Sequence, residues 1–233
     1  MLSCEHGGNR IPSEYRALFE KRAAQAALAT HRGYDLGALG VARALARRFG
    51  VQLVASEWSR LLVDLNRSRH HPRLFSNFSS TLDREARRRV LEQYYLPHRE
   101  RVEQQVRERL RGGVLHVAMH SFTPELHGEL RNADIGILYH SGFPGDRAVG
   151  ERWHQILRRQ APELRVRRNY PYRGTSDGFP PYLRARFGMG NYWGIELETN
   201  QGLLVGKPRL AAATLASISD TLAELVEELC TSG

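Results

Sequence analysis

The chain has 233 residues, of which 41% are hydrophobic, so we expect one domain over residues 1–233 with one sizeable core. The formal net charge of +9 raises nucleic acid as a partner, but the densest arginine run, residues 84–111, is interleaved with glutamates and predicts a solvated helix, so nucleic-acid binding is not expected. Two cysteines far apart exclude a disulfide framework, and the lack of a long apolar run or a signal-peptide pattern predicts a cytoplasmic protein without a membrane segment.

The first half of the chain alternates between strand and helix patterns. A short apolar start over residues 1–5 predicts a strand that ends in the turn at Gly7. The predicted elements that follow are a helix over residues 13–28 capped by Ser13, a helix over 36–49 that Asp35 precedes and Gly50 ends, strands over 51–55 and 61–65, and a polar loop over 75–83.

The second half continues the alternation. A long helix is predicted over residues 84–110, interrupted near Pro97. The remaining predictions are strands over 114–119, 135–139, 164–168 and 192–197, helices over 147–159 and 210–229, and a loop over 169–179. This order predicts an α/β fold with a mostly parallel or mixed sheet flanked by helices.

Polar residues follow several of the predicted strands. His6 comes after the first strand and His120 after the strand over 114–119, while Asn66-Arg67 and Glu198 follow two others. Because active sites of α/β sheets lie at the carboxyl ends of the strands, we expect these side chains to converge on one edge.

Two histidines at strand ends, with acids nearby, indicate a metal site. Zinc in a hydrolase takes three protein ligands from His, Asp and Glu and leaves a position for water. His6 and His120 supply two, and the candidates for the third are Glu5, Asp35 and, as an amide, Asn9. Glu5 precedes His6 in an extended segment, which directs its side chain to the opposite face. Asp35 is therefore favoured, although an aspartate at that position is also a typical helix cap.

Seven segments carry a more specific signal: SCEHGGN, HRGYDLGA, SRLLVDLNR, MHSFTPELHG, RNADIGILY, NYPYRG and IELETNQ. In this order they resemble the blocks of the N-formylglutamate amidohydrolase family, over residues 3 to about 204. The resemblance implies a phosphorylase/hydrolase-like fold and metal-dependent hydrolysis of a small N-formyl amide such as N-formylglutamate, with one zinc ion expected per chain. His6 and Asp35 match the family pattern.

A more distant likeness concerns zinc carboxypeptidases and aspartoacylases, which carry an Asp-x-Asn-Arg segment. It implies that Asn66 and Arg67 grip a substrate carboxylate, with Asp64 bracing them. The metal-binding His-x-x-Glu spacing of those enzymes is absent from this chain, because Asn9 stands three residues after His6 where they have the glutamate. The acidic ligand is therefore assigned to Asp35, as in zinc peptidoglycan amidases, where it lies further along the chain.

Hydrolysis of an amide needs an activated water and a proton donor for the leaving amine. Zinc lowers the pKa of a bound water to about 7. Glu198 is the predicted general base, and Glu196 is its rival because both point to the same side of an extended strand. The family's Leu-Glu-x-x-Gln pattern favours Glu198.

The other predicted site residues bind the substrate. Arg60 is the candidate donor to the oxyanion, and Arg67 with Arg131 suits a carboxylate through a planar guanidinium fork. Tyr172 is expected to border the pocket. Related sequences usually place a histidine near Arg186, in an Arg-His-aromatic-Gly pattern, where this chain has Arg186-Phe187-Gly188, and the resemblance implies that this position lies in the substrate pocket.

Two alternatives differ in function on the same fold. One is a zinc amidase that acts on a peptide or peptidoglycan fragment, which a long cleft would favour and the missing export signal disfavours. The other is a non-catalytic, arginine-rich protein that binds an anion or nucleic acid. Metal content separates the latter from the enzymes.

Overall fold

The computed structural model describes residues 1–188, 191–206 and 209–231. Its strands are β1 (Leu2–Cys4), β2 (Leu53–Ala55), β3 (Val114–Phe122), β4 (Glu125–Leu126), β5 (Glu129–Leu130), β6 (Ile135–Leu138), β7 (Val166–Arg168), β8 (Tyr192–Asn200), β9 (Leu204–Val205) and β10 (Arg209–Leu210). Six of them form one sheet in the order β2-β1-β3-β8-β6-β7, and β4-β5 and β9-β10 form small hairpin pairs.

The sheet is mixed. Strands β1, β2, β3 and β8 are parallel, β6 pairs with β8 in the antiparallel sense, and β7 is parallel to β6. The predicted α/β fold with a flanked sheet is confirmed. The two central strands, β3 and β8, run further than predicted and end at Phe122 and Asn200. His120 and Glu198 therefore lie within strands rather than after them, directly opposite each other in register.

Seven α-helices are described in residues 1–188, 191–206 and 209–231: α1 (Arg22–Leu28), α2 (Ala38–Phe49), α3 (Arg84–Val90), α4 (Leu96–Arg109), α5 (Pro144–Gln160), α6 (Phe179–Phe187) and α7 (Ala212–Thr231). Helix α2 buries Val41, Ala42 and Leu45 at helical spacing and ends at Gly50, whose φ of 60° is the left-handed cap predicted for it. None of the described helices combines the length and the apolar character needed to cross a lipid bilayer.

The two faces of the sheet have different roles. Successive strand residues point to opposite sides, and Val117, Met119, Ile195 and Leu197 belong to the core that α2, α5 and α7 cover. The opposite face packs its first residues, Val114 and Tyr192, against α4 and α6. The polar residues further along that face therefore gather at the carboxyl ends of β3 and β8.

The predicted strand over residues 61–65 is wrong. These residues form turns, in which the Leu62 amide donates to the carbonyl of Ser59 and the Arg67 amide to that of Asp64. Their side chains are buried in a second apolar cluster with Phe19 and Tyr95. The apolar run thus reflects burial of its apolar side chains rather than an extended backbone conformation.

Two helix predictions also change. The predicted helix over residues 13–28 is a 3₁₀ segment, Ser13–Phe19, followed by α1, and Ser13 donates to Glu14 instead of capping. The long helix over 84–110 is interrupted as expected, by a π-helical turn, Leu91–Tyr95, between α3 and α4. Helix α6 was not predicted, and it contains two prolines, Pro180 and Pro181. They occupy its first turn, where a proline needs no hydrogen-bonded amide.

The arginine-rich helical face pairs internally, as its interleaved glutamates predict. Arg88 contacts Glu85 and Glu92 at i,i+3 and i,i+4 spacing. Arg99 departs from this pattern because it is buried, with its guanidinium over the rings of Phe179 and Tyr182. The densest run of positive charge is therefore largely neutralised within the helix or used in packing.

A buried ion pair joins α5, α6 and the central strand β8. Asp146 and Arg184 are each 2% exposed and bond to one another. Arg184 also donates to the carbonyl of Gly194, whose amide faces Asp146 at 3.3 Å. The pair fixes the beginning of β8, from which the polar residues of its far end are positioned.

We expect Asp146→Ala to destabilise the fold by about 3–5 kcal/mol, because the charge of Arg184 is left buried without compensation. The double variant Asp146→Ala/Arg184→Met should recover much of that loss. Arg43→Ala, which breaks an exposed pair with Glu57, is the control and should cost less than about 1 kcal/mol. Urea unfolding measures all three, and an Asp146→Ala cost similar to the control would contradict the argument.

Candidate active site

A cavity of about 460 Å³ opens at the carboxyl ends of β3 and β8. That size suits a small molecule. The structure brings all the predicted site residues into its lining: His6, Asp35, Arg60, Asn66, Arg67, His120, Arg131, Tyr172 and Glu198. Convergence on one sheet edge is thus observed, although the functional roles of these residues remain predictions.

Asp35 lies between the two histidines at the floor of the cavity. Its Oδ2 is 2.8 Å from Nδ1 of His120 and 3.4 Å from Nδ1 of His6. The three side chains are buried, and one potential ligand atom from each lies within 4.8 Å of the others. Two imidazoles and one carboxylate form a donor set that suits a divalent cation such as zinc.

The outer nitrogens of the two rings support this fit. Nε2 of His6 is 2.7 Å from Oδ1 of Asp64, so the hydrogen bond directs Nδ1 towards the cluster. Nε2 of His120 faces Oε2 of Glu5 at 3.4 Å and Oε1 of Glu196 at 3.9 Å. Both imidazoles therefore present the same nitrogen, Nδ1, to the same place and turn the other one towards carboxylates.

The backbone around Asp35 explains how this residue reaches the cluster. Its amide donates to the carbonyl of His6 at 2.9 Å, and its own carbonyl accepts from the amide of Ala38. The cap position of α2 is Gly37, with φ of 83° and no side-chain cap bond. The carboxylate of Asp35 is consequently available to the two histidines rather than spent as a helix cap.

The expectation that Glu5 points away from the site is wrong. Strand β1 ends at Cys4, and both Glu5 and His6 lie in the following turn, where strict alternation no longer holds. Glu5 is fully buried between His120 and His98. Asn9, the weakest ligand candidate, donates to the carbonyl of Leu28 and holds the end of α1.

Burial and neighbouring charges strongly shift the pKa values of Asp35 and His120. Burial raises the pKa of Asp35, but His6 and then His120 lower it by more, so it lies well below its usual range. Burial lowers the pKa of His120, yet Asp35 and Glu5 hold it well above that of an ordinary histidine. The histidines thus carry positive charge where the carboxylates require it, and a cation would take over this role in exchange for protons.

Glu198 and Glu196 both lie on the cavity side of β8. Burial raises the pKa of Glu198 to about 8, with His120 opposing the shift and Asp35 and Glu196 adding to it. Its Oε2 has no hydrogen-bond partner in the part of the chain that the structure describes. Glu196 is instead held by the side-chain amide of Asn66 at 3.2 Å. Of these two carboxyl groups, Glu198 is therefore the one that no side-chain hydrogen bond of the described structure holds in place.

Arg60 and Asp64 hold the clustered side chains in place through hydrogen bonds. The guanidinium of Arg60 contacts Oδ1 of Asp35 at 3.3 Å and Oδ2 of Asp64 at 2.8 Å. Asp64 also accepts from the backbone amide of Asn66, as its predicted bracing role requires. Its bond to His6 was missed, because nothing in the sequence spacing links residues 6 and 64. A donor role for Arg60 towards an oxyanion stays a prediction.

One wall of the cavity joins residues 66–68 to residues 177–179. The side-chain oxygen of Asn66 accepts from the amide of Phe179 at 2.7 Å. Arg67 donates to the carbonyl of Asp177, and the amide of Ser68 donates to its carboxylate. The amide of Asn66 therefore bonds within the protein at both ends, so Arg67 is the better placed of the pair to meet a substrate carboxylate.

Another part of the cavity lining contains Arg131 and Tyr172. The guanidinium of Arg131 stacks 5.1 Å from the centre of the Tyr172 ring and lies 3.5 Å from the hydroxyl of Thr123. The expectation that residues 186–188 lie in this pocket is wrong. In the part of the chain that the structure describes, none of the three lines the cavity. Arg186 pairs with Glu103 of α4, and Phe187 packs near Tyr192.

The fold and the site together define a class. An α/β sheet that gathers histidines and carboxylates around a small cavity at its strand ends is typical of an enzyme active site. The sequence model of the N-formylglutamate amidohydrolase family matches residues 1–205, so the chain belongs to that family and is an amidohydrolase. The resemblance seen in the sequence is confirmed.

Solved structures agree on the fold. A gene product of Agrobacterium tumefaciens, Atu2144, is 28% identical with a TM-score of 0.77, covering 100% of this chain and 90% of that one. The N-formylglutamate amidohydrolase of Ralstonia eutropha JMP134 is 19% identical with a TM-score of 0.67, covering 99% and 93% respectively, which is a likeness of fold. A search of curated proteins finds no significant match.

We expect Glu198→Gln to stabilise the metal-free protein increasingly between about pH 4.5 and 8. The unfolded chain loses the Glu198 proton near pH 4.5, whereas the folded chain keeps it to about pH 8. Since the unfolded state then binds fewer protons, wild-type stability falls over this range, and the glutamine variant is spared that fall. Thermal unfolding in chelator at several pH values measures the gap. A gap that stays constant from pH 4 to 9 would contradict the assignment.

Proposed function

We propose that this chain is a zinc-dependent amidohydrolase that cleaves the amide of a small N-acyl amino acid, such as N-formylglutamate. The observation that carries the proposal is the meeting of His6, Asp35 and His120 within 4.8 Å at the floor of the cavity. These residues would hold the cation. When bound, zinc supplies Lewis acidity that polarises a carbonyl oxygen and favours loss of a proton from water.

Glu198 is proposed as the general acid–base group. It lies opposite His120 in the sheet register, beside the three proposed ligands, with one oxygen unpartnered in the described structure. Positive charge added at the cluster lowers the pKa of Glu198 from its metal-free value, so that it can accept a proton near neutral pH. It then returns that proton to the nitrogen of the leaving amine.

Arginines on the cavity walls are proposed to orient an acidic substrate. Arg67 and Arg131 both line the cavity, and each can offer a planar pair of donors to a carboxylate. Arg60 compensates Asp35 and Asp64 and is proposed to stabilise the oxyanion, and Tyr172 lines the cavity. A substrate with carboxylate groups flanking the acyl amide fits this distribution of charge.

The cavity favours a small substrate over a polymer. At about 460 Å³ it matches a single acylated amino acid, whereas a peptidoglycan strand needs an extended groove. We also propose a cytoplasmic location, which is supported by two free thiols, buried Cys4 and exposed Cys230. Neither a nucleic acid nor a membrane partner is part of the proposal.

We expect the purified protein to hold about one zinc ion per chain and to release amine from N-formylglutamate. His6→Ala and His120→Ala should each abolish both properties, because each removes one of three ligands. Elemental analysis gives the metal content, and a panel of N-formyl, N-acetyl and N-succinyl amino acids gives the acyl preference. Wild-type protein that binds no zinc would refute the proposed centre.

We expect Glu198→Gln to lower kcat by about 10²–10⁴-fold while zinc content stays at the wild-type level, because proton transfer is lost and the ligands are kept. Glu196→Gln is the matched variant two residues away on the same face, and its effect on kcat should be smaller. Steady-state kinetics with metal analysis separates the two. Hydrolysis retained in Glu198→Gln and lost in Glu196→Gln would reverse the assignment.

A further inference from the structure

Two buried polar atoms face each other beside the proposed metal centre without forming a hydrogen bond. They are Nε2 of His120 and Oε2 of Glu5, separated by 3.4 Å. Neither has a hydrogen-bond partner among the residues described, although His120 is 3% exposed and Glu5 is not exposed at all. Buried polar atoms are rarely left without a hydrogen bond, so an ion pair that stops short of hydrogen-bond geometry requires an explanation.

Glu5 is held in this position from the opposite side. Its other oxygen, Oε1, lies 3.3 Å from Nε2 of His98, a buried residue of α4. Glu5 thus sits between two imidazoles, one from β3 and one from the helix that covers this face of the sheet. Glu196 is the other carboxylate near Nε2 of His120, but it is 3.9 Å away and already accepts from Asn66.

The two proposed metal histidines therefore have carboxylates placed in the same way around their rings. His6 turns Nδ1 towards Asp35 and Nε2 towards Asp64, and that outer hydrogen bond is already formed at 2.7 Å. His120 also turns Nδ1 towards Asp35, and its Nε2 is turned towards Glu5. Metal-bound histidines commonly donate their second N–H to a carboxylate, which fixes the tautomer and the orientation of the ring.

We propose that Glu5, anchored by His98, is the positioning residue of His120: it accepts a hydrogen bond from the Nε2–H group, which keeps the proton on Nε2 and so leaves Nδ1 of His120 available to bind the cation. The inference rests on the proposed function of the cluster as a metal centre. A small movement of the ring brings the pair into the hydrogen-bond range of about 2.7–3.2 Å. Glu5 acts through His120 and does not bind the metal itself.

The test compares zinc affinities of metal-free proteins by competition with a chromophoric chelator. Glu5→Ala should weaken zinc binding about 10–100-fold, the usual effect of removing an outer carboxylate. Glu5→Gln keeps an accepting oxygen of the same reach and should lose only about 3–10-fold. His98→Ala, which frees Glu5 from α4, should also weaken binding. His120→Ala marks the loss of a true ligand.

Ser3→Ala is the matched control. Ser3 is equally buried on β1, and its hydroxyl lies 2.8 Å from Nε2 of His116, another buried histidine of β3 that does not line the cavity. Removing that bond should lower the unfolding temperature and leave zinc affinity unchanged. This control separates a general loss of packing at the β1–β3 pair from a specific effect on His120.

The outcomes discriminate between the two proposals. Wild-type zinc affinity in Glu5→Ala and His98→Ala overturns the positioning role and leaves the metal centre intact. A loss in Glu5→Gln as large as in His120→Ala also overturns it, because Glu5 would then be a ligand. If Glu5→Ala does not fold, the graded losses in Glu5→Gln and His98→Ala decide. A wild-type protein without zinc affinity defeats the metal centre and this inference with it.

Discussion

The carboxylate of Asp35 is the point on which the site depends, because one of its oxygens is shared by two imidazoles from distant parts of the chain. Bringing the three groups together requires the turn after β1, the start of α2 and the end of β3 to meet. The hydrogen bond from the amide of Asp35 to the carbonyl of His6 joins the first two, and the pairing of β1 with β3 joins the third. The pairing of β1 with β3 thus helps to hold Asp35 between the two histidines.

Burying several carboxylates in a small volume is unfavourable unless positive charge accompanies them. Glu5, Asp35, Asp64 and Glu198 are all at most 5% exposed. Arg60 and the two histidines compensate part of this charge, and the surrounding carboxylates hold the pKa of His120 well above its usual value and raise that of His6. A bound cation relieves that conflict, which gives an electrostatic reason, independent of family, to expect one.

The sequence predicted those parts of the site that follow from strand geometry. His120 and Glu198 share a face because β3 and β8 are long and extended, so alternation holds along them. The same rule failed at Glu5, since β1 ends one residue earlier, and the apolar run at 61–65 indicated burial without indicating conformation. The antiparallel sense of β6 and the contacts of Glu5 with His98 or Asp64 with His6 arise only from tertiary packing, which no local pattern encodes.

Two parts of the cavity lining differ in the interactions that hold them together. Residues 66–68 are tied to 177–179 by three hydrogen bonds, whereas Arg131 meets Tyr172 by stacking alone across a gap of 5.1 Å. Separating the first pair breaks several polar bonds at once, while the second can part and rejoin at little cost in free energy. The lining at Arg131 and Tyr172 should therefore change shape more readily than the lining at residues 66–68 and 177–179.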